Sequence, residues 1–573
     1  MPTILHYLKK HRGKLTTGLL LLVGTNLLSL SIPQLLKWAV EEMKLGLSLQ
    51  RVGYYCLAIA AVASGQAILR TLSRLQILGL SRRVSYDLRN RLFSHLLSLP
   101  PAFFDRTRTG DLMSRAVNDM QSVRSLFGPG VMNLMNTTMV YGFGLVLMAM
   151  IDLKMTLLAL IPYPLLLVAI QRLGRMIHKR TNDAQEQLSA ISAGLQENLS
   201  GIHLVRVFSQ EEREIERFDR LNREYRNRNL RLAVARGAIV SLMGGIGGLG
   251  TVVVLWLGGL YVLDGRITLG DFVAFNGYLA ILAWPTIALG WVINTFQRGL
   301  AALGRISEIL REEPQAATNG DHSSRAVIRG EWEMRDLDFR YPGASQPALS
   351  AINLKIPAGS FAAVVGPVGS GKSTLVHLMS RLYAPTSGSI LLDGRNLEEI
   401  PLGEVRRNIG VAPQEAFLFS KSLRENIALG LENADPDRVL DAGRISQLEE
   451  EVSAMPSGWD TVVGERGYTL SGGQRQRAAL ARALAPRPPI VILDDSLSSL
   501  DAETEQAVLG RIRAEMKGRT LILITHRMTS VLGADWIFVL RQGRLVEEGR
   551  GEDLLRTGGL FAELYRKQQL DFD

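Results

Sequence analysis

The residues with the clearest chemical capacity lie in one glycine-rich loop, between Gly366 and Thr374. The glycines allow the backbone to turn its N–H groups inward, where they bind a phosphate group. At this spacing Lys372 supplies a positive charge to the phosphates, and Ser373 offers a hydroxyl oxygen to a Mg²⁺ ion. The alternative is a glycine turn with a lysine placed by chance. The predicted phosphate-binding residues are Gly366, Pro367, Val368, Gly369, Ser370, Gly371, Lys372, Ser373 and Thr374.

Three short apolar runs are typical of the buried strands that such a loop needs. Phe361–Val365 comes directly before the loop, Ile490–Leu493 comes before Asp494, and Thr520–Ile524 comes before Thr525 and His526. Ligands of open α/β folds bind at the carboxyl ends of the strands, so the polar residues there are site candidates. Asp494 is a candidate for holding Mg²⁺ through a water molecule.

The 573 residues are enough for two or more domains, and the composition differs along the chain. Residues 1–300 contain repeated long apolar stretches, whereas residues 326–573 are typical of a soluble α/β domain. The net charge is +10, and basic residues crowd positions 6–14, 82–124 and 172–236. Because these runs flank the apolar stretches, they indicate contact with anionic lipid headgroups and not with nucleic acid.

Apolar stretches of sufficient length predict that the chain crosses a membrane, whose hydrocarbon layer is about 30 Å thick. The loops that join the first span to the second, the third to the fourth and the fifth to the sixth are short and nearly neutral. The opposite side carries the long arginine-rich segments, and basic loops remain in the cytoplasm. The N-terminus and the C-terminal domain are therefore predicted to be cytoplasmic. The six predicted spans are residues 15–38, 53–78, 131–151, 155–171, 237–262 and 271–293.

The segments between the spans indicate helices that continue beyond the bilayer. Leu88, Leu92, Leu96 and Leu99 repeat at helical spacing, with charged residues on the other face. Turns are predicted at Gly110 and Gly201, where short crosswise helices would meet a cytoplasmic domain.

Several polar residues fall within or near the predicted spans and are candidates for contact with a transported molecule. No chain of intramembrane carboxylates is evident in the sequence, which argues against a proton-coupled carrier. Glycines at positions 244–250 permit close helix packing in the fifth span, and a hinge is the alternative. The polar candidates are Asn26, Gln66, Arg70, Arg74, Asn133, Asn136, Asn276 and Asn294.

With a second glycine motif, Leu470-Ser-Gly-Gly-Gln474, these features make the chain resemble a half-transporter of the ABC exporter family, type IV fold. Membrane-region patterns resemble the family at Phe104–Met113, Asn118–Asp119, Gln196–Gly201 and Leu269–Phe272. The resemblance implies an α-helical six-span transmembrane domain with long cytoplasmic helical extensions, followed by an α/β P-loop ABC nucleotide-binding domain. The predicted boundaries are a transmembrane domain at 1–310, a linker at 311–325 and a nucleotide-binding domain at 326–573.

The same resemblance implies roles for individual residues of the ATPase domain. Tyr341 matches the aromatic residue that stacks on adenine, and His526 matches the switch residue near the γ-phosphate. Gln414 matches the residue that senses Mg²⁺ and couples to the membrane helices. Glu465 lies in a segment that resembles the contact with the coupling helices, and Ser498–Asp501 resembles the loop that communicates between two ATP sites.

The signature motif implies a second subunit. Its two glycines expose backbone N–H groups, and the helix that follows points its positive end outward. Such a surface closes on a γ-phosphate held by another subunit's phosphate loop; a simple helix-capping turn is the alternative. The predicted residues acting on the partner's ATP are Leu470, Ser471, Gly472, Gly473 and Gln474.

One position departs from the family pattern. Asp495 follows Asp494 where the resemblance implies a glutamate that polarises the attacking water. Aspartate is one methylene shorter, and a displacement of about 1 Å can cost on the order of 10²-fold in rate. We therefore expect the chain's own ATP site to hydrolyse weakly, as in one half of a heterodimer; a conservative replacement without consequence is the alternative.

The sequence thus predicts ATP-driven export of amphipathic or hydrophobic compounds, such as drugs, lipids or peptides, by alternating access across the cytoplasmic (inner) membrane. ATP and Mg²⁺ are the predicted cofactors, and the predicted partners are a second ABC half-transporter and the lipid bilayer. A homodimeric exporter and an ATP-gated channel or sensor are the alternatives.

Overall fold

The computed structural model describes residues 11–44, 49–315, 327–431, 433 and 435–570. The chain forms two compact units. The first contains the residues up to Leu97 together with Gly110–Glu312, and the second contains Ser98–Thr109 together with the chain from Glu313 onward. Most of the predicted linker 311–325 lies outside the described residues.

Long helices build the first unit. Two of them, α2 and α8, have 50 and 53 residues. At 1.5 Å per residue each is about 75–80 Å long, far more than the hydrocarbon layer requires. Helices that run past the limits of the predicted spans are thus confirmed, since α2 continues to Ser98 and α8 begins at Glu211. In chain order the helices are α1 (Arg12–Met43), α2 (Leu49–Ser98), α3 (Pro101–Arg106), α4 (Thr109–Ile151), α5 (Leu153–Leu160), α6 (Pro162–Ser200), α7 (Ile202–Val207), α8 (Glu211–Leu263) and α9 (Leu269–Ile309).

Among the residues that the structure describes, four of these helices, α1, α2, α4 and α9, are long and apolar enough to span a membrane. They contain the first, second, third and sixth predicted spans. The predicted span 155–171 is divided at Ile161, between α5 and α6. Within the predicted span 237–262, the described apolar stretch is Gly250–Leu263. Many side chains of these two spans lie outside the described residues, so the count of six spans stays a prediction.

Ion pairs fasten α9 to two neighbouring helices. The Lys37 ammonium of α1 lies 2.6 Å from the Asp271 carboxylate in the first turn of α9. Farther along α9, the Arg305 guanidinium donates to both carboxylate oxygens of Asp119 on α4, at 2.5 and 2.8 Å. Asp119 is buried and lies in a π-helical turn, Arg115–Asp119. A two-point guanidinium–carboxylate pair fixes orientation as well as distance.

Three of the asparagines in the predicted spans are already hydrogen-bonded within their own helices. Asn26, Asn133 and Asn276 each donate an amide N–H to the carbonyl four residues earlier on the same helix, over 2.8–3.1 Å. Their contact with a transported molecule stays a prediction. Among the described glycines of positions 244–250, only Gly250 has a close neighbour, since an added Cβ there would lie 3.8 Å from the carbonyl oxygen of Ala159.

The breaks between the long helices lie close to the predicted turns. Gly201 ends α6 and the short α7 follows, as predicted. The turn predicted at Gly110 is wrong by a few residues, because Gly110 lies in the first turn of α4. The chain instead breaks at Pro100 and again at Thr107, whose backbone is extended. Proline is unfavourable inside a helix and favourable at its start, which explains where α2 ends and α3 begins.

Helix α3 belongs to the second unit, although it lies between two long helices in the sequence. Phe103 is buried there, with 5% of its surface exposed. The Tyr383 hydroxyl donates to the Asp105 carboxylate, and the Gln315 N–H donates to the Ser98 carbonyl over 2.8 Å. These contacts attach the segment to the second unit.

Two sheets organise the second unit, which has the predicted α/β fold. The larger has the strand order β10-β9-β3-β8-β7-β6, parallel except for the β9–β10 pair, and the smaller, antiparallel sheet has the order β2-β1-β4-β5. The strands are β1 (Trp332–Phe339), β2 (Leu349–Ile356), β3 (Phe361–Val365), β4 (Ser387–Leu392), β5 (Arg395–Asn396), β6 (Ile409–Ala412), β7 (Ile490–Asp494), β8 (Thr520–Ile524), β9 (Trp536–Arg541) and β10 (Arg544–Gly549).

The centre of the larger sheet explains the continuous apolar runs. Every residue of β3, β7 and β8 is buried, because helices and the smaller sheet cover both faces. The three strands are adjacent and parallel, so their carboxyl ends meet at one edge. Besides α3, the described α-helices of this unit are α10 (Lys372–Met379), α11 (Leu402–Arg407), α12 (Leu423–Ile427), α13 (Pro436–Ile445), α14 (Glu449–Ser453), α15 (Gly472–Leu484), α16 (Ala502–Glu515), α17 (Gly551–Thr557) and α18 (Leu560–Leu570).

Candidate nucleotide-binding site

The loop between β3 and α10 curls as the glycine spacing predicts. Gly366, Gly369 and Gly371 all have positive φ, at 150°, 78° and 101°. A Cβ on Gly366 would lie 2.1 Å from the Leu540 carbonyl oxygen, and one on Gly371 would lie 2.8 Å from that of Ala348. Glycine is therefore required at Gly366 and Gly371 both by backbone conformation and by space, and at Gly369 by backbone conformation alone.

The Lys372 side chain folds back over this loop. Its ammonium donates to the carbonyl oxygens of Gly366 and Pro367, at 2.8 and 2.9 Å. Burial lowers the pKa of Lys372, while the carboxylates of Asp495 and Asp494 act in the opposite direction. The positive charge is thus held at the centre of the loop, where a phosphate would replace the carbonyl oxygens as its partner.

Ser373 and Asp494 form an oxygen pair beside the loop. The Ser373 hydroxyl donates to the Asp494 carboxylate over 3.2 Å. Burial raises the pKa of Asp494, although this hydrogen bond opposes the shift. Hydroxyl and carboxylate oxygens suit Mg²⁺, which is usually held by one or two protein ligands together with phosphate oxygens and water. The residues therefore fit the predicted ion, and Gln414 also lines the cleft beside them.

Mg²⁺-dependent ATP binding should weaken on acidification at a higher pH than an ordinary aspartate would allow. Burial raises the pKa of Asp494, and only its ionised form attracts the ion, so binding is present above the raised pKa and is lost as pH falls through it. Titrating ATP affinity from neutral pH downward, with Mg²⁺ and with a chelator, measures the effect. Asp494→Asn should bind weakly throughout and lose the Mg²⁺-specific part of the pH dependence; retention of that part would contradict the assignment.

Asp495 joins two residues that the sequence places far apart. One carboxylate oxygen lies 2.9 Å from His526 Nδ1, and the other accepts from the Gln414 amide at 3.4 Å. The Asp495 side chain is 15% exposed and that of His526 49%. The φ of Asp495 is 48°, in the left-handed region that aspartate tolerates better than most residues. The three predicted catalytic residues therefore form one cluster.

These groups line a cleft of about 920 Å³. The predicted site residues in its wall are Val368, Gly369, Ser370, Gly371, Lys372, Ser373, Thr374, Gln414, Asp494, Asp495 and His526. Gly366 and Pro367 shape the loop from behind and are not in the wall. Several wall residues were not predicted from the sequence: Gln346, Pro347, Ala348, Ser350, Ile524, Arg541, Gln542, Gly543, Arg544 and Val546.

The missed residues include a hairpin that joins β9 to β10. The Gly543 N–H donates to the Ser370 carbonyl over 3.1 Å, and the Ser350 N–H donates to the Gly543 carbonyl over 2.8 Å. These bonds bring Arg541 and Arg544 to the cleft. The sequence signal for this hairpin was a glycine turn with an arginine on each side. No neighbouring sequence pattern connects that turn with the phosphate loop.

Tyr341 does not line the cleft among the described residues. Its hydroxyl donates to the Thr374 hydroxyl at 3.2 Å and lies 3.0 Å from His377 Nδ1, while its ring makes an edge contact with Tyr383. Burial raises the pKa of Tyr341. Adenine stacking by this residue stays a prediction.

The signature motif lies apart from the cleft of its own chain, since none of the described wall residues comes from 470–474. Ser471 caps α15: its hydroxyl accepts from the Gln474 N–H at 3.2 Å, and its N–H donates to the Gln474 side chain at 2.9 Å. Glu465 lies in an exposed turn between Val462 and Tyr468, whose side chains are also exposed. Contact of these residues with another subunit stays a prediction.

Two family models match the chain. A model described as the ABC transporter transmembrane region matches residues 15–286, and one described as ABC transporter matches residues 349–498. The probable multidrug resistance ABC transporter ATP-binding/permease protein YheI of Bacillus subtilis is 34% identical over 98% of this chain and 97% of its own. An ATP-dependent lipid A-core flippase of Syntrophus aciditrophicus is 32% identical over 99% and 94%. The structure of a bacterial Atm1-family ABC exporter with ATP bound matches with a TM-score of 0.78 and 27% identity, over 97% of this chain and 98% of that one.

Proposed function

This chain belongs to the ABC transporter family, and from that premise we propose that it is the weakly hydrolysing half of a heterodimeric exporter for amphipathic or hydrophobic compounds. The relatives are a multidrug resistance transporter and a lipid A-core flippase by name, so ATP-driven export is the activity that they support. The finer assignments concern the partner, the cargo and the division of work between two ATP sites.

The observation that carries the proposal is the geometry around Asp495. Its carboxylate is paired with His526 and Gln414 and ends one methylene short of a glutamate at the same position. A general base must come within hydrogen-bond reach of the water that it polarises. The shorter side chain supports slow hydrolysis at a site where Lys372, Ser373 and Asp494 are placed to bind phosphate and Mg²⁺.

The residues of the cleft have separate tasks in this proposal. The loop N–H groups and Lys372 bind the phosphates, and Ser373 and Asp494 hold Mg²⁺, which neutralises phosphate charge when bound. His526 lies at the position of the switch residue, where its imidazole can hydrogen-bond to the γ-phosphate. ATP drives the conformational change only to the extent that the closed state of the transporter binds it better than the open state.

A second subunit is supported by the position of the signature motif. The motif is intact and capped, yet it does not contribute to the cleft of its own chain. We propose that it completes the partner's ATP site, where a glutamate activates water, and that the partner's motif covers Lys372 and Asp494. A homodimer would have the same geometry at both ATP sites, and both would hydrolyse ATP weakly. This alternative predicts that the chain transports its cargo without a second type of subunit.

The proposed location is the cytoplasmic (inner) membrane, with both the N-terminus and the nucleotide-binding domain in the cytoplasm. Asn26, Asn133 and Asn276 each donate a side-chain N–H to a carbonyl of their own helix, so these three amide groups are already hydrogen-bonded. This supports an apolar or amphipathic cargo. An ATP-gated channel is the alternative class, and it predicts ATP-dependent conductance without uptake.

Reconstitution tests the proposal. In inside-out vesicles, the chain with its second half should drive ATP-dependent uptake of a fluorescent amphipathic dye, and the chain alone should hydrolyse ATP on the order of 10²-fold more slowly. Changing the partner's catalytic glutamate to glutamine should stop turnover. Vigorous uptake by the chain alone, or intact ATPase activity after the partner's change, would overturn the heterodimer.

A further inference from the structure

One loop lies between the ATP site of this chain and its signature motif. The loop Ser498–Asp501 follows Asp495 by three residues and ends at the N-terminus of α16, where the Asp501 carboxylate accepts the Thr504 N–H over 2.9 Å. The position of this loop therefore bears on the spacing between the ATP site and the signature motif of the same chain.

Gln476 holds the loop from the side of the signature helix. This side chain is buried, with 6% exposed. Its amide donates to the Ser498 hydroxyl at 3.2 Å and its carbonyl oxygen accepts the Ser499 N–H at 2.9 Å. The Ser498 hydroxyl in turn donates to the Asp495 carbonyl over 2.9 Å. A continuous series of hydrogen bonds therefore runs from Asp495 to α15.

Arg527 holds the same loop from the opposite side. Its guanidinium donates to the carbonyl oxygens of Ser498 and Leu500, at 2.8 and 3.0 Å, and to the Glu505 carboxylate. The Glu505 side chain is only 4% exposed, and it also accepts from the Ser530 hydroxyl. Arg527 directly follows His526, so the backbone that carries the switch histidine is fastened to the loop.

The signature glycines pack against this loop as well. A Cβ on Gly473 would lie 3.2 Å from the Leu500 side chain and 3.6 Å from the Ser499 carbonyl oxygen. A movement of the loop would therefore reach both the hydrogen bonds at Gln476 and the surface that the motif presents.

We propose that Gln476 and Arg527 are positioning residues that set this chain's signature motif relative to its own ATP site, so that the rate at the partner's ATP depends on both. The inference rests on the proposed two-subunit arrangement. Neither side chain lines the cleft of its own chain among the described residues, so neither is assigned a contact with the ATP bound there.

Conservative variants in the complete transporter test the proposal. Arg527→Lys keeps the positive charge beside Glu505 but loses the planar guanidinium group that donates to two carbonyl oxygens. Gln476→Met keeps the length of the side chain but loses both of its hydrogen bonds to the loop. Each variant should lower kcat for ATP hydrolysis by on the order of 10²-fold. The ATP concentration that gives the half-maximal rate and the midpoint of thermal unfolding should stay nearly unchanged.

Arg519→Lys is the matched control. Arg519 is 23% exposed against 25% for Arg527, and it too pairs with a carboxylate, that of Glu515, and with backbone carbonyls. It contacts none of the loop residues, so its replacement should leave kcat unchanged.

Three results would overturn the inference. They are a normal kcat in both test variants, a loss of kcat in Arg519→Lys equal to theirs, or a loss of kcat that is accompanied by an equal loss of ATP affinity. An unmodified transporter that neither binds nor hydrolyses ATP would instead refute the proposed function, so the two failures are distinguishable.

Discussion

Replacing Asp495 with glutamate is expected to raise ATP hydrolysis at this chain's own site by on the order of 10²-fold. The other groups of the site are in place, with His526 2.9 Å from the carboxylate and Ser373 beside Asp494. One added methylene extends the carboxylate towards the position that the family's glutamate occupies. The measurement is ATPase activity in an assembly whose partner carries glutamine at its own catalytic position, so that only this site turns over.

Two controls separate chemistry from strain. Asp495→Asn keeps the length of the side chain without its charge and should not raise ATPase activity. Asp336→Glu lengthens another aspartate in the left-handed region, at a φ of 44° against 48° for Asp495, and it should leave turnover unchanged. If Asp495→Glu also gives no gain, the shortened side chain is not the cause of slow hydrolysis.

Removing the charge of Lys372 should weaken the binding of ATP to this chain and so lower the rate of transport. The ammonium is held over the loop by two carbonyl oxygens and lies in a partly buried cleft. Hydrogen bonds to charged groups contribute about 1.5–3 kcal/mol each, so Lys372→Met should weaken ATP binding on the order of 10²-fold. Equilibrium titration with a fluorescent ATP analogue measures the affinity, and vesicle uptake measures the consequence.

Lys421→Met is the matched control for that variant. Lys421 is 57% exposed and makes a long ion pair of 4.0 Å with Glu425, so its loss should not change ATP affinity. Normal ATP affinity in Lys372→Met would contradict the assignment of the loop as the phosphate site.

The candidate ATP site was largely predictable because its residues lie at the ends of recognisable strands. The apolar runs before Gly366, Asp494 and Thr525 became adjacent parallel strands, and this adjacency brings Asp495 and His526 into contact. Once the order of the strands is known, the residues that meet at one edge of the sheet can be predicted without further long-range information.

Other parts of the molecule depend on contacts that no local pattern contains. Arg541 and Arg544 reach the cleft only because Gly543 bonds to Ser370 in a distant loop. The turn predicted at Gly110 was displaced because Pro100 and Pro101 end one helix and start another. Spacing identifies helices well, but it does not show which domain a short helix joins.

The membership of α3 in the second unit means that the backbone passes between the two units three times, near positions 97, 109 and 312. A protease cut within the predicted linker 311–325 therefore leaves two of the three covalent connections intact. Excising the ATP-binding domain as a fragment that begins after this linker removes the segment that covers the Tyr383 hydroxyl and contributes Phe103 to the core. Folding of that domain is thus tied to a piece of chain made much earlier during synthesis.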